Sequence, residues 1–312
     1  NHFNSMKKEL LLSLCMLSVI ALHAQQKQYV YKLDGSIVIH RIDSLNTMTF
    51  EGDNVILTKD DGSLTTLLRS GIDSARIAQL TSFHSCDTSN VHNPEIPYGT
   101  MTDQEGNSYR TVVIGGREWM AENLNTSIYR NGDAIPNVVS STQWAALTSG
   151  AYCYYQDDPA NACPYGKLYN WFTCVDERGL CPTGWHVPSD DEWSIMINYL
   201  DPTADGGNNS NNEVGIAMKS AGTIEGGDGY WYTYASDPSV EGTNSRGFSG
   251  LPGGFRSTNG DYYNMGSNGG WWSCTQLVSD DAWSRNLYYD YAYVYRGNSD
   301  TRYGWRVRCL RD

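Results

Sequence analysis

Residues 181–193 read CPTGWHVPSDDEW, and how this stretch is understood decides the fold. Pro182 and Pro188 lock the backbone on either side of Gly184-Trp185. A segment so restricted has little conformational freedom to lose on folding. Ser189, followed three residues later by Glu192, is a capping box, so a helix starts at once. Asp190, Asp191 and Glu192 suit the positive end of that helix. Trp193, Met196, Ile197 and Leu200 fall on one apolar face. His186 has no second ligand at helical spacing and reads as a hydrogen-bonded structural histidine. The stretch is a rigid corner, not a redox or metal motif.

Upstream, Asn1 to Ser5 precede Met6 and read as a remnant. Lys7 and Lys8, an apolar run from Leu10 to Leu22 and Ala24 before Gln25 have the pattern of a secretory signal peptide, so residues 1–24 are set apart from the fold. The run is too short to span a bilayer well. Cys15 follows Leu14, where a lipid-anchoring site would want a small residue. Removing Lys7, Lys8 and Glu9 leaves 20 basic and 34 acidic residues, a net charge of −14. Such a surface repels phosphate backbones, so nucleic acid is not an expected partner.

Residues 25–80 hold a weak internal repeat. Asp34-Gly35-Ser36 and Asp61-Gly62-Ser63 each sit between apolar runs, and each copy continues to Ile-Asp-Ser at 42–44 or 72–74. Asp-Gly between β-formers predicts hairpins, hence a small all-β unit of about four strands. Residues 81–99 are polar, contain two prolines and form a linker. Its His84, Cys86 and His92 match no closed zinc site.

Residues 100–312 show short strands and turns with few helices. A strand is predicted over 109–114 before the Gly115-Gly116 turn. A short helix follows Ser141 or Thr142, with Trp144 and Leu147 on one face. Residues 201–247 are loop-like, and Asn259-Gly260 marks a hairpin. The stretches NLYYDYAYVYRGN (286–298) and YGWRVRCLRD (303–312) read as the last two strands, paired as a hairpin.

Six motifs occur in order: IGGREWMAENLN (114–125), YGKLYNW (165–171), CPTGWHVPSDDEW, GFSGLPGGFR (247–256), WWSCT (271–275) and GWRVRC (304–309). Together they resemble the Fibrobacter succinogenes major paralogous domain over about residues 100–311. That family is similar in fold to C-type lectin-like domains and to the formylglycine-generating group. The resemblance implies an α+β fold of short twisted antiparallel sheets, two or so short helices and long Gly-rich loops. It also implies a bridge from Cys181 to Cys309, since such folds join a cysteine near a helix to one in the last strand.

Seven cysteines follow the leader, and in an exported chain they are disulfide candidates first. Cys153 and Cys163 flank a short loop and are paired locally. Fold analogy leaves Cys174 to Cys274, with Cys86 spare. GGWWSC loosely resembles the reactive segment of formylglycine-generating enzymes, but the next cysteine is Cys309, so the second thiol of that motif is missing. A sulfatase-modifying-factor-like oxidoreductase, largely degenerate, is therefore only an alternative. Calcium is possible at Asp157, Asp158 and Asn161, or at Asp201 and Asp205. Neither loop matches an EF-hand.

The chain holds 22 Tyr and 10 Trp against 6 Phe. Tyr289, Tyr291, Tyr293 and Tyr295 alternate and so share one strand face, with Trp231 and Asp261 added to the candidate binding surface. Aromatic rings stack on sugar faces. No Gly-x-Ser-x-Gly elbow, zinc-protease helix or phosphate loop occurs. The expectation is an exported, non-catalytic recognition module at or outside the cell surface, binding carbohydrate or a surface protein. A structural or adhesive appendage subunit is the other reading.

Overall fold

The computed structural model describes residues 91–312 throughout and, between 26 and 79, the backbone of six strands. The chain forms two compact units, Asn1–Thr81 and Ser82–Asp312. In the first, β1 (Gln26–Lys32) pairs antiparallel with β2 (Ile37–Arg41), while β3 (Leu45–Glu51) pairs with β4 (Asn54–Lys59). β5 (Leu64–Leu68) adds to β4, and β6 (Ile72–Gln79) adds to β1. Two three-stranded sheets result, β2-β1-β6 and β3-β4-β5, so there are six strands where about four were expected. The segments rich in Val, Ile, Tyr and Thr become the strands. Each Asp-Gly-Ser falls between two paired strands. The two Asp-Gly-Ser segments, residues 1–24, His84 and Cys86 lie outside the described residues.

The second unit is mixed α/β, with several short antiparallel sheets and a few short helices. Its strands begin with β7 (Gly99–Thr102), β8 (Ser108–Ile114), β9 (Arg117–Met120), β10 (Tyr152–Cys153), β11 (Leu168–Tyr169) and β12 (Trp185–His186). They continue with β13 (Gly253–Arg256), β14 (Tyr262–Met265), β15 (Asn268–Val278), β16 (Asp281–Tyr288), β17 (Tyr295–Asp300) and β18 (Leu310–Arg311). The sheets run β12-β18-β9-β8-β7, β10-β11, β13-β14 and β15-β16-β17. Asn259-Gly260 turns the β13–β14 hairpin as expected. The last strand does not pair with the tyrosine segment; β18 lies between β12 and β9 instead. The short helix Ser141–Ala145 is capped by Ser140, one residue ahead of the expected cap, because Ser140 Oγ reaches the Gln143 N–H. No helix among the described residues is long and apolar enough to cross a membrane.

The corner at 181–193 is fastened three ways. Cys181 and Cys309 are bonded, with Cα atoms 6.0 Å apart. Trp185 and His186 pair with Arg311 and Leu310. The helix Asp190–Leu200 then starts with both halves of the capping box formed, and buries Trp193, Met196 and Ile197. His186 bridges Asp312 at 2.6 Å and Glu192 at 3.0 Å. Closing a loop of this length restricts the unfolded chain by about 4–5 kcal/mol in the chain-entropy view.

Nine of the ten tryptophans are buried, all but Trp283. Trp119, Trp193, Trp231 and Trp271 share one apolar cluster; Trp171, Trp185, Trp272 and Trp305 share another. Most of their indole N–H groups are satisfied by carbonyls, as in Trp272 to Tyr169 O at 2.8 Å and Trp144 to Arg302 O at 2.8 Å.

Two buried arginines explain why GFSGLPGGFR and GWRVRC occur together. Arg306 donates to the carbonyls of Tyr165, Gly253 and Gly254. Arg308 donates to Asn123 Oδ1 and to the carbonyls of Phe248 and Ser249. A buried irregular loop needs donors for its carbonyls, and a guanidinium supplies five in a fixed fork. Burial lowers Arg306 to about 10 and Arg308 to about 9, so both stay charged at neutral pH. A Cβ at Gly253 would stand 2.2 Å from the Arg306 guanidinium carbon, so only glycine fits.

The cysteine pairing departs from expectation. Cys153 is free and buried, its thiol turned toward Arg256 and Tyr262 and pushed up to about 11 by burial. Cys163 is bonded in a disulfide, with none of the other described cysteines as its partner. Strand β10 carries Cys153 inward into a buried cluster with Trp144 and Leu168. Cys174 and Cys274 are both free thiols in this structure.

Candidate functional site

The tyrosine stretch is not one continuous strand. β16 ends at Tyr288 and β17 begins at Tyr295, leaving residues 289–294 as a turn. Val294 plunges into the core at 1% exposure, on the face opposite Tyr293 and Tyr295, and it is the turn at Tyr289 that breaks the alternation. Tyr289 therefore swings inward beside Tyr232 and Tyr234, with ring centroids 6.5 and 5.8 Å away. Tyr288, Tyr291, Tyr293 and Tyr295 gather into one outward group. Tyr291 and Tyr293 stack at 4.8 Å and 13°, and Tyr288 lies 5.1 Å from Tyr291 and 6.4 Å from Tyr295. Tyr291 and Tyr295 are 38% and 44% exposed. Sequence reading missed Tyr288, because strand alternation assigned it to the opposite face.

A buried cation holds this turn from below. Lys219 Nζ donates to the carbonyls of Tyr288 (3.0 Å), Tyr291 (2.9 Å) and Val240. Burial lowers its pKa to about 8, with Asp290 and Glu241 working the other way. The short helix Val214–Met218 presses on the turn so closely that a Cβ at Gly215 would lie 2.5 Å from Tyr293 O. Ile216 N–H donates to Ala292 O at 3.0 Å. Burial first, then its tyrosine neighbours, pushes the Tyr288 phenol up to about 12, so its O–H persists as a hydrogen-bond donor.

The other candidates do not join this group. Trp231 is only 2% exposed and spends its indole N–H on Gly250 O, so it is core rather than binding surface. Asp261 closes the β13–β14 turn by accepting from Asn259. Asp157 accepts from Tyr262 Oη at 2.6 Å, Asp158 from Ala160 N at 2.9 Å, and Asn161 donates to Tyr155 O. Asp201 takes both the N–H and hydroxyl of Thr203, while Asp205 sits in a left-handed backbone conformation. Asp158, Asn161 and Asp201 are thus tied into their own turns, while Asp157 is tied to Tyr262 on β14. Among the described residues, no three His, Cys, Asp or Glu converge to hold an ion.

A second cluster was invisible in the sequence. His92 Nε2 lies 3.1 Å from Glu122 Oε1, and its Nδ1 lies 3.0 Å from Ser249 Oγ. Glu122 as carboxylate must accept, which leaves Nδ1 of the neutral ring to accept from Ser249. Burial lowers the His92 pKa, which favours that neutral form. The order Ser–His–carboxylate matches that of a nucleophile relay. The surroundings do not: Ser249 is fully buried, and its oxygen also accepts from Asn244 Nδ2. The Ser249 and Gly250 N–H groups, the natural oxyanion donors, are spent on Asn244 Oδ1 and Met218 O. The relay therefore latches residues 91–98 onto the 244–249 loop. Beside it opens a cleft of about 280 Å³ walled by His92, Asn93, Asp228, Thr243 and Asn244. The remote spacing of 157 residues between His92 and Ser249 gives no local signal.

Cys274 is half-buried and its thiol is pushed up by burial and by Glu192. A thiol so placed is not activated as a resting nucleophile.

Among comparisons with known proteins, no curated protein and no solved structure matches. The family profile described as the Fibrobacter succinogenes major domain matches residues 112–311, well over half of the chain. It spans all six ordered motifs in full, the buried arginine pair, the Cys181–Cys309 bridge and the tyrosine turn. The chain belongs to the Fibrobacter succinogenes major domain family.

Proposed function

We propose that this chain is an exported, non-catalytic recognition module that binds carbohydrate through the tyrosine turn at 288–295, on a C-type-lectin-like framework. One observation carries the reading: four tyrosines on one outward turn, two of them stacked, with their backbone held by the buried Lys219. A preorganised aromatic surface loses little freedom on binding, and tyrosine presents a flat apolar body with a polar tip. Asp290, whose charge acts on Tyr288 and Tyr293, supplies an acceptor for hydroxyls. The disulfide at Cys181–Cys309 and the leader-like residues 7–24 agree with export to an oxidising compartment. The same bridge, tying a helix-leading corner to the last strand, supports the lectin-like reading of the framework.

A glycan array probed with the full chain, with and without EDTA, tests this. Binding to a defined set of glycans supports the proposal. A blank array, together with a protein partner captured by cross-linking on intact cells, favours the adhesive or structural reading instead. One feature speaks for that second reading: Ile195 and Tyr199, one helical turn apart on Asp190–Leu200, are 55% and 63% exposed, and Val113 is 65% exposed.

A further inference from the structure

The free thiols of Cys174 and Cys274 lie on two elements that are packed against each other. The helix Trp171–Cys174 rests across β15, and the Trp171 indole donates to Ser273 O at 3.0 Å. Cys174 follows Trp171 by three residues, so both side chains leave the same helix face. Cys274 follows Ser273 directly, and its N–H is bound to Pro188 O at 2.9 Å, beside the corner. Cys174 belongs to the apolar cluster that also holds Trp171, Leu180 and Trp272, and Cys274 packs against that same cluster. Burial first, and then the presence of Cys274, pushes the Cys174 thiol well up, which places the two groups within reach of each other's charge.

We infer that Cys174 and Cys274 form a redox-active pair that closes to a disulfide by exchange with a small disulfide substrate. The two thiols differ in access: Cys274 is half-buried and Cys174 is 7% exposed. That asymmetry assigns the roles. The Cys274 thiolate attacks one sulfur of the incoming disulfide RSSR, the S–S bond breaks, and RS⁻ leaves. Cys174 then loses its proton and attacks the Cys274 sulfur of the mixed disulfide, releasing the second RS⁻. The protein gives up two electrons and two protons, and RSSR becomes two RSH. Because the Cys274 thiol is pushed up, exchange is slow at neutral pH and quickens by on the order of tenfold per pH unit below its titration. Cys153, free but fully buried beside Arg256, has no such neighbour or path.

The test treats the full-length protein with oxidised glutathione at about pH 8, quenches with acid, denatures, alkylates and maps the peptides. The expected map links the Cys174 and Cys274 peptides and leaves Cys153 alkylated. A Cys174→Ser variant should instead keep glutathione on Cys274, and a Cys274→Ser variant should leave Cys174 unmodified. Both thiols staying alkylatable, a wild-type adduct on Cys274 without cross-link, or a link to any other cysteine would overturn the inference. If either variant fails to fold, the wild-type map still decides.

Discussion

The ammonium of Lys219 lies 2.9 Å from the carbonyl oxygen of Tyr291, inside a protein core where a lysine is otherwise expensive. Three carbonyls converge on that one cation, two of them from the tyrosine turn. Lys219→Met keeps the bulk and strands the carbonyls, each of which costs about 1–3 kcal/mol when left buried without a partner. We expect a loss of about 2–4 kcal/mol in urea denaturation and a more mobile turn by hydrogen exchange at residues 288–294.

The same residue sets an alkaline signature. Its folded pKa of about 8 lies below the ordinary 10.5, so the unfolded chain binds more protons between those values. Stability from this group therefore rises with pH from about 8 to 10.5. Lys167, also lowered to about 8 by burial, adds the same sign. Buried thiols and phenols act oppositely above their ordinary values, so the measurement is a difference. Wild type minus Lys219→Met should climb across pH 8–10; a flat difference contradicts the assignment.

Asp190 receives both Arg285 and Arg296 at 2.6 Å in a largely buried setting. Burial works to raise its carboxyl, but the two guanidinia outweigh it and hold it below the ordinary range. Asp190→Asn leaves a buried Arg285 without its counter-charge and should cost about 3–5 kcal/mol at neutral pH. Since the carboxylate's contribution is present above the ordinary value of 3.8 and lost below it, wild type and variant should converge in stability as pH falls under about 4.

His92 titrates below its ordinary 6.5 because burial disfavours the charged ring. The unfolded chain then binds more protons just below that value, so stability declines as pH falls from about 6.5. Tyr98, Arg110, Glu122 and Arg308 face the ring, with Glu122 alone favouring its protonation. His92→Gln, which can keep both hydrogen bonds, should flatten the decline between about pH 5 and 6.5. An unchanged slope would move the acid sensitivity to other groups.

Local signals were legible and remote ones were not. The Ser189–Glu192 capping box, the Asn259–Gly260 turn and the apolar face of the helix Asp190–Leu200 need only neighbours within a few residues, and all are present. The Cys181–Cys309 bridge came through family resemblance, not through spacing. Cys153 was misassigned because its direction depends on β10 pairing with β11, a contact its loop cannot reveal. The tyrosine alternation failed at Tyr288 and Tyr289, where the strand gives way to a turn packed against the helix Val214–Met218. Buried Lys219 and the His92–Ser249 latch depend on carbonyls and hydroxyls brought from far along the chain.

The bridge at the corner carries its own expectation. Cys181→Ala with Cys309→Ala should lower stability by about 2–5 kcal/mol in thermal or urea unfolding. Loss within a few tenths would mean that β18 and the capping box hold the corner alone.

The central claim is that the tyrosine turn is a recognition surface, and one titration tests it most directly. Isothermal calorimetry with the best glycan from an array would compare wild type, Tyr291→Ala, and Tyr263→Ala, whose ring is similarly exposed at 42% but lies on β14. The account predicts at least a tenfold weaker affinity for Tyr291→Ala, about 1.4 kcal/mol, and no change for Tyr263→Ala. Equal affinity in all three proteins, each folded by circular dichroism, would contradict it.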